Sequence, residues 1–189
     1  MDFDIIVVAS HHRKPLIIDY LKDIPHKVVY TPDYELPVGF VPSIGGLVQN
    51  HLGAYRCFRG HQDAISKCKK DMVLIFEDDA VPNNEKWLSI IIDGVFLLNE
   101  FEMVSFHSRQ YNIEQFLLVC DKYIKPRTKD VWIVAALCYV LKKKSFDFIL
   151  NAKYMGIPYD LLLYRNFSYC LLEPSIFDHN CSEGSLIDI

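Results

Sequence analysis

Three consecutive acidic residues, Glu77, Asp78 and Asp79, directly follow a short apolar run that spans residues 72–76. A short apolar run bounded by polar residues is typical of a buried strand. If the strand belongs to an open α/β sheet, the acids at its carboxyl end lie where such sheets bind their ligands. Adjacent carboxylates repel one another, and a cation that prefers oxygen ligands, Mn²⁺ or Mg²⁺, relieves this repulsion. The sequence therefore predicts a metal site here, with a solvated loop as the alternative.

Strands and helices that must position these acids alternate in the first half of the chain. The pattern predicts strands over 4–9, 26–30 and 72–76, and helices over 15–22, 45–69 and 85–98. This alternation indicates a parallel sheet. In the second half the predicted strands lie closer together, at 103–106, 116–119, 131–141 and 169–172, with helices at 145–152 and 159–165. We therefore expect a single α/β domain, with helices flanking a mixed but mainly parallel central sheet.

The composition restricts the class of protein. A chain of 189 residues with 51% hydrophobic content fits one folded domain. The net charge of −4 argues against a nucleic-acid partner. No apolar stretch approaches the ~20 residues of a membrane span, and the N-terminus lacks the basic start of a signal peptide. Six cysteines without close pairing suit reduced thiols. These features predict the cytoplasm, or the host cytoplasm if the chain is viral.

Glycine-rich phosphate loops are not visible in the sequence. The P-loop motif needs a lysine after its second glycine, whereas in the segment from Gly53 to Gly60 the second glycine, Gly60, is followed by His61. The dinucleotide fingerprint is also missing after the first predicted strand. Any bound phosphate must therefore be held by a metal and by scattered donors.

An acidic triplet at a strand end, without a P-loop, resembles the GT-A glycosyltransferases, and most closely the lipopolysaccharide-type enzymes of family 25. The segments that carry the resemblance are residues 52–58, 73–80, 135–141 with Lys144, 157–160, and 174–180 with Ser182 and Ser185. Among these segments the acidic triplet is the specific one. Cys57 and Phe58 stand where the family has Ser-His, so the role of that histidine is not carried over. A glycosyltransferase domain of a larger viral protein, as in the chlorella viruses, would have this size.

The resemblance implies a GT-A-like fold and a metal-dependent transfer of a sugar. The donor would be a nucleotide-sugar, UDP-sugar by preference, and the acceptor a glycan. Two other classes remain open. A metal-dependent phosphodiesterase or nuclease also gathers carboxylates around cations, and a non-catalytic nucleotide- or glycan-binding module would need no reaction at all.

Each acid of the triplet is assigned its own role. We expect Asp79 to be the first metal ligand and Asp78 to be a second. Successive side chains alternate across a strand, so Glu77 and Asp78 should not face the same way. One of these two would reach the nucleotide-sugar hydroxyls or a metal-bound water, while the other braces the loop. The alternative for Asp78 is a cap on the following turn.

Further candidates follow the first predicted strand and lie near the C-terminal end of the sequence. Ala9 and Ser10 are expected to lie against a nucleotide base, and Arg13 to pair with a phosphate. The alternative for this segment is an ordinary strand-to-helix turn. His179 can supply a nitrogen ligand to Mn²⁺, although a single histidine is also commonly a surface or core residue.

Asp160 is the candidate general base. In an inverting transfer, one carboxylate takes the proton from the acceptor hydroxyl. Neighbouring Tyr159 and the apolar residues 161–163 would partly desolvate it. The alternative is that Asp160 caps the helix that follows, since aspartate is a preferred N-cap residue. His107 and Trp132 are expected on the acceptor side or, as ordinary aromatic residues, in the core.

Overall fold

The computed structural model describes residues 2–42, 48, 50–107, 112–128, 131 and 137–179. The strands found in these ranges are β1 (Asp4–Ser10), β2 (Lys27–Thr31), β3 (Met72–Glu77), β4 (Ala80–Pro82), β5 (Met103–Ser105), β6 (Phe116–Cys120), β7 (Tyr123–Pro126), β8 (Cys138–Lys142), β9 (Tyr169–Leu172) and β10 (Phe177–His179). The α-helices are α1 (Ile18–Leu21), α2 (His51–Ser66), α3 (Trp87–Gly94), α4 (Phe146–Asn151) and α5 (Tyr159–Asn166). Short 3₁₀ helices cover Val95–Asn99, Ile113–Gln115 and Lys143–Ser145.

Eight of the strands seen in the described ranges form one mixed sheet, in the order β2-β1-β3-β8-β5-β9-β7-β6. Strands β2, β1 and β3 are parallel to one another, and so are β5 and β9. Strand β8 lies antiparallel between β3 and β5, and β7 lies antiparallel between β9 and β6. Thus β7 and β8 run opposite to the other six strands. The predicted mixed α/β sheet, with most strands pointing one way, is confirmed.

Helices cover both faces of this sheet because its central strands are apolar on both sides. Alternate residues of β1 enter opposite cores: Ile6 and Val8 contribute to one cluster, Ile5 and Val7 to the other. Helices α2, α4 and α5 supply the first cluster, and α1 and α3 supply the second. This double burial explains why β1 and β3 are continuous apolar runs rather than alternating ones.

Helix boundaries differ from the sequence prediction at several places. Helix α2 begins at His51, where the Asn50 side chain accepts a hydrogen bond from Gly53 N at 2.9 Å. The predicted start at residue 45 falls outside the described residues. Helix α1 begins only at Ile18, because the preceding turn is tied to β3 by a 2.7 Å hydrogen bond from Leu16 N to Asp78 O. The predicted strand over 131–141 is a strand from Cys138, and residues 132–136 lie outside the described ranges.

The sequence analysis did not predict β4, β7 or β10. Strands β4 and β10 contain three residues each and form a separate antiparallel pair. Three residues are too few for a periodic pattern, so their pairing comes from tertiary contacts rather than from local preference. No helix in the described part of the chain is long and apolar enough to cross a bilayer.

Candidate functional site

The carboxyl ends of β1, β2 and β3 meet at one edge of the sheet because these strands are parallel neighbours. Val8 of β1 is in register with Glu77 of β3, and Ser10 is in register with Thr31 of β2. The turn after β1 therefore lies directly beside the acidic triplet after β3. This is the arrangement that the sequence predicted for the ligand-binding edge.

Asp78 bridges these two strand ends. Its Oδ2 accepts a hydrogen bond from the Ser10 backbone N–H at 2.9 Å, and its Oδ1 lies 3.9 Å from Arg13 Nη1. The Asp78 side chain is only 9% exposed, so a solvated loop is excluded as the explanation of this residue. The side chain reaches β1 rather than only capping the turn that follows it.

Burial changes the acidity of Asp78. Desolvation raises the pKa of its carboxyl, the Ser10 hydrogen bond lowers it, Asp79 and Glu77 raise it again and Arg13 lowers it, with a result of about 6. The net rise means that the charged form is disfavoured at this position. A divalent cation would supply the missing positive charge, and closely placed carboxylates are the donors that Mn²⁺ and Mg²⁺ accept. The donor set therefore fits the expected metal.

Asp79 and His179 approach one another through the small two-stranded sheet. Asp79 is buried, with 9% of its surface exposed, and it immediately precedes β4. In the pairing of β4 with β10, His179 stands opposite Ala80. The backbone thus brings residue 179 next to the triplet, although the side chain of His179 falls outside what the structure describes.

Glu77 faces the opposite side of β3, as the alternation of a strand requires. Its Oε1 lies 3.1 Å from Nε2 of His61 on α2. Asp78 is directed toward β1 and Glu77 toward α2, so the expectation that these two acids face different ways is confirmed. The sequence analysis did not assign His61 to the site.

His61 is held on both sides by other buried groups. Its Nδ1 lies 2.7 Å from the Tyr139 hydroxyl, which lies 3.3 Å from the Tyr159 hydroxyl. The Tyr159 ring stacks on the imidazole with centroids 4.1 Å apart and an interplanar angle of 15°. Burial lowers the pKa of His61 to about 3, against a raising effect from the charge of Asp160. The imidazole is therefore neutral at ordinary pH.

Asp160 lies in the first turn of α5, beyond the N-cap residue Pro158. Its Oδ1 accepts a hydrogen bond from Leu161 N at 2.9 Å. The alternative that Asp160 is the N-cap of this helix is therefore wrong. The charge of Asp160 raises the pKa of the Cys57 thiol and opposes the lowering of the His61 pKa, so both groups on α2 are affected by this carboxylate.

The pKa of the Cys57 thiol on α2 is affected by the charges of several predicted site acids. Burial raises the pKa of its thiol well above the usual value, and the charges of Glu77, Asp160, Asp78 and Asp79 raise it further. Carboxylates that lie about 80 residues apart in the sequence thus act on one sulfur atom.

Other expected site residues are placed less favourably. Ala9 is 1% exposed inside β1, so its side chain has little surface to offer a nucleotide base. His107 is buried, with its Nδ1 2.8 Å from Phe177 O, so it belongs to the support of β10 and not to an acceptor surface. Trp132 lies outside the described residues.

A second group of polar residues lies at this sheet edge. Asp33, just after β2, lies 3.1 Å from His11 Nε2 and 3.3 Å from Arg56 Nη1 of α2. His12 Nε2 lies 3.9 Å from the same carboxylate. The sequence analysis assigned no role to Asp33.

One sequence signal could have found the histidine beside the triplet. Cys57 and His61 are four residues apart, and such residues share one face of a helix. Both face the end of β3 in the structure, since Cys57 Sγ, a ring nitrogen of His61 and a Glu77 oxygen lie within 4.8 Å of one another. A cysteine and a histidine at this spacing, one helix before an acidic triplet, are a recognisable donor pattern.

No protein-family model matches the chain, and no curated protein matches it. Among solved structures, HddC from Yersinia pseudotuberculosis is similar with a TM-score of 0.41 and 13% identity, covering 89% of this chain and 69% of that one. A197 from STIV is similar with a TM-score of 0.40 and 11% identity, covering 92% and 82%. HddC complexed with GMP-PN gives a TM-score of 0.40 and 14% identity, covering 92% and 71%. Similarities this distant say nothing about the chemistry at the site.

Proposed function

We propose that this chain is a metal-dependent glycosyltransferase that moves a sugar from a nucleoside diphosphate, UDP by preference, to a glycan acceptor. One observation carries the proposal. The acidic triplet at the end of β3 and the Ser10–Arg13 turn meet at one edge of the sheet, where the Asp78 carboxylate accepts a hydrogen bond from Ser10 N and lies 3.9 Å from Arg13. The resemblance of residues 73–80 to the GT-A metal motif agrees with this placement.

Separate residues hold the donor at this edge. Asp79, Asp78 and His179 are the proposed ligands of Mn²⁺ or Mg²⁺. When bound, the cation stabilises the charge that develops on the departing nucleoside diphosphate. Arg13 is 15% exposed in its side chain and close to Asp78, so its guanidinium can pair with a phosphate oxygen. The backbone N–H of Ser10 donates to Asp78, so Ser10 lies directly beside the triplet.

Asp160 would act on the acceptor. Its carboxylate accepts the proton of the attacking hydroxyl as the new glycosidic bond forms. Asp160 lies in the first turn of α5, on a different element from the acidic triplet. This arrangement keeps the proposed base separate from the carboxylates that hold the cation.

Calorimetric titration of the chain with UDP tests the proposal. We expect heat of binding in the presence of Mn²⁺ and none when EDTA replaces the metal. Equal binding under both conditions, or binding under neither, contradicts a donor site that depends on a cation. Incubation with UDP-sugars and a glycan mixture, followed by mass spectrometry of the products, then separates a transferase from a binding module. Hydrolysis of a simple phosphodiester without sugar transfer would instead support the phosphodiesterase class.

A further inference from the structure

Three side chains with different donor atoms meet between α2 and the end of β3. Cys57 Sγ, a ring nitrogen of His61 and a carboxylate oxygen of Glu77 all lie within 4.8 Å of one another. Cys57 and His61 are one helical turn apart on the same face of α2, while Glu77 approaches from β3. His61 Nε2 and Glu77 Oε1 are 3.1 Å apart. Two ligands of a tetrahedral zinc ion, each at about 2.0–2.1 Å from the metal, are separated by a similar distance, about 3.3 Å.

His61 is oriented as a metal ligand would be. Its Nε2 faces Glu77, and its Nδ1 faces the Tyr139 hydroxyl at 2.7 Å. Histidine ligands commonly donate the hydrogen of their second nitrogen to a fixed partner, which sets the tautomer and the ring orientation. In that tautomer Nδ1–H donates to Tyr139, and Tyr139 in turn donates to the Tyr159 hydroxyl 3.3 Å away. The stacked ring of Tyr159 fixes the plane of the imidazole.

The chemistry of these donors differs from that of Asp78 and Asp79. Thiolate and imidazole suit zinc and related transition metals, whereas Mg²⁺ and Mn²⁺ prefer oxygen donors. Three protein ligands leave a fourth position for water, as in zinc sites that are not closed. The charges of Asp160, Asp78 and Asp79 also reach Cys57. A divalent cation at this place would be stabilised by every one of these carboxylates.

We propose that Cys57, His61 and Glu77 form a site for a transition-metal cation of the zinc type, separate from the oxygen-donor site of the proposed transferase. Coordination converts the Cys57 thiol to a thiolate and releases its proton to solvent. The cation then links α2 to the end of β3 and fixes the Glu77 side chain next to Asp78 and Asp79. The proposal does not depend on the transferase activity, because its donors and its metal are different.

Titration of the full chain with Co²⁺, without nucleotide, tests this site. We expect the near-ultraviolet absorption of a cobalt–thiolate bond to appear, to reach its limit at one equivalent, and to vanish when Zn²⁺ is added. Cys57→Ser should remove this absorption. Cys68→Ser and Cys120→Ser are matched controls, since both residues are also half-buried free cysteines, and they should retain it. Tyr139→Phe, which removes the partner of Nδ1, should weaken Zn²⁺ binding about 10–100-fold.

Two results would overturn the proposal: no cobalt–thiolate absorption in the unaltered chain, or its persistence in Cys57→Ser that circular dichroism shows to be folded. The 3.1 Å contact would then be an ordinary hydrogen bond between His61 and Glu77. The UDP titration relies on Mn²⁺ and a different donor set. A chain that binds UDP with Mn²⁺ but gives no cobalt–thiolate absorption, or the reverse, shows which of the two proposals has failed.

Discussion

The carboxylate of Asp78 accepts the backbone N–H of Ser10 at 2.9 Å, so the end of β3 is fastened to the turn after β1. This single contact joins two segments that the sequence separates by 68 residues. It also places a carboxylate where burial and two neighbouring acids act against its charge.

Asp78 should make the metal-free chain less stable as the pH rises. Its pKa in the folded chain is about 6, above the ordinary value of 3.8. A raised carboxyl pKa contributes stability that is complete below about pH 4 and is lost as the pH rises through about 6. Asp78→Asn, with EDTA present, should therefore be more stable than the original chain at pH 7.5 by up to about 3 kcal/mol. At pH 4 the two should be nearly equal.

Urea unfolding at both pH values measures this difference. Asn retains an oxygen that can accept the Ser10 N–H, so the variant tests charge rather than the loss of the hydrogen bond. If Asp78→Asn lowers the free energy of unfolding by the same amount at pH 4 and pH 7.5, packing and not ionisation of Asp78 determines the effect of the substitution.

Asp79→Ala should remove the metal-dependent part of UDP binding while the chain stays folded, because Asp79 is the proposed first ligand of the cation. The measurement is calorimetric titration with UDP in Mn²⁺. Asp147→Ala is the matched control, since Asp147 is an exposed acid on α4, and its titration should be unchanged. Unaltered UDP affinity in Asp79→Ala would mean that the ligand assignment is wrong.

Asp160→Asn should lower the rate of sugar transfer about 10²–10⁴-fold, the usual contribution of a general base. Binding of UDP with Mn²⁺ should remain, because Asp160 belongs to the acceptor side of the proposed site. Initial rates and donor titrations, both run on the same preparation, measure the two effects. Turnover that survives the substitution would place the base on another residue.

Asp4 should respond to pH in the opposite direction from Asp78. Burial by itself raises the pKa of this carboxyl, but hydrogen bonds from the backbone N–H groups of Lys69 and Lys70 and from Cys68, with the charge of Lys27, lower it to about 2. A lowered pKa contributes stability above about pH 4 that is lost as the pH falls toward 2. Asp4→Asn should cost about 1 kcal/mol at pH 7 after allowance for solvent screening.

Urea titrations from pH 2 to pH 7 measure the Asp4 effect. The difference in the free energy of unfolding between Asp4→Asn and the original chain should fall to zero as the pH approaches 2. A constant difference over this range would assign the cost to altered hydrogen bonding between β1 and the 67–70 turn.

The sequence predicted the elements whose preference is local and strong. The apolar runs of β1 and β3 and the acids after β3 needed no tertiary information, and their positions are confirmed. The pairing of β4 with β10 could not be read, since it depends on a contact between distant three-residue segments. His61 was passed over because its importance comes from Glu77, Tyr139 and Tyr159, which lie on three other elements.

The sequence alone could not decide between the alternatives for some candidate residues, for a related reason. Ala9 and His107 both stand at or near the end of a strand, which favours ligand contact as a general rule. The rule cannot tell whether a later element covers the strand end. Here β10 comes to lie against His107, and that arrangement is visible only in three dimensions.

The pairing of β4 with β10 has a consequence for the order in which the chain folds. Asn83 Nδ2 donates to Asp178 Oδ1 at 2.9 Å across a separation of 95 residues, just beside that pairing. During synthesis on the ribosome, the acidic triplet is made long before β10, the strand that pairs with β4 directly after the triplet. The proposed metal site should therefore be completed only after β10 has formed, whereas β1 and β3 can pair before it.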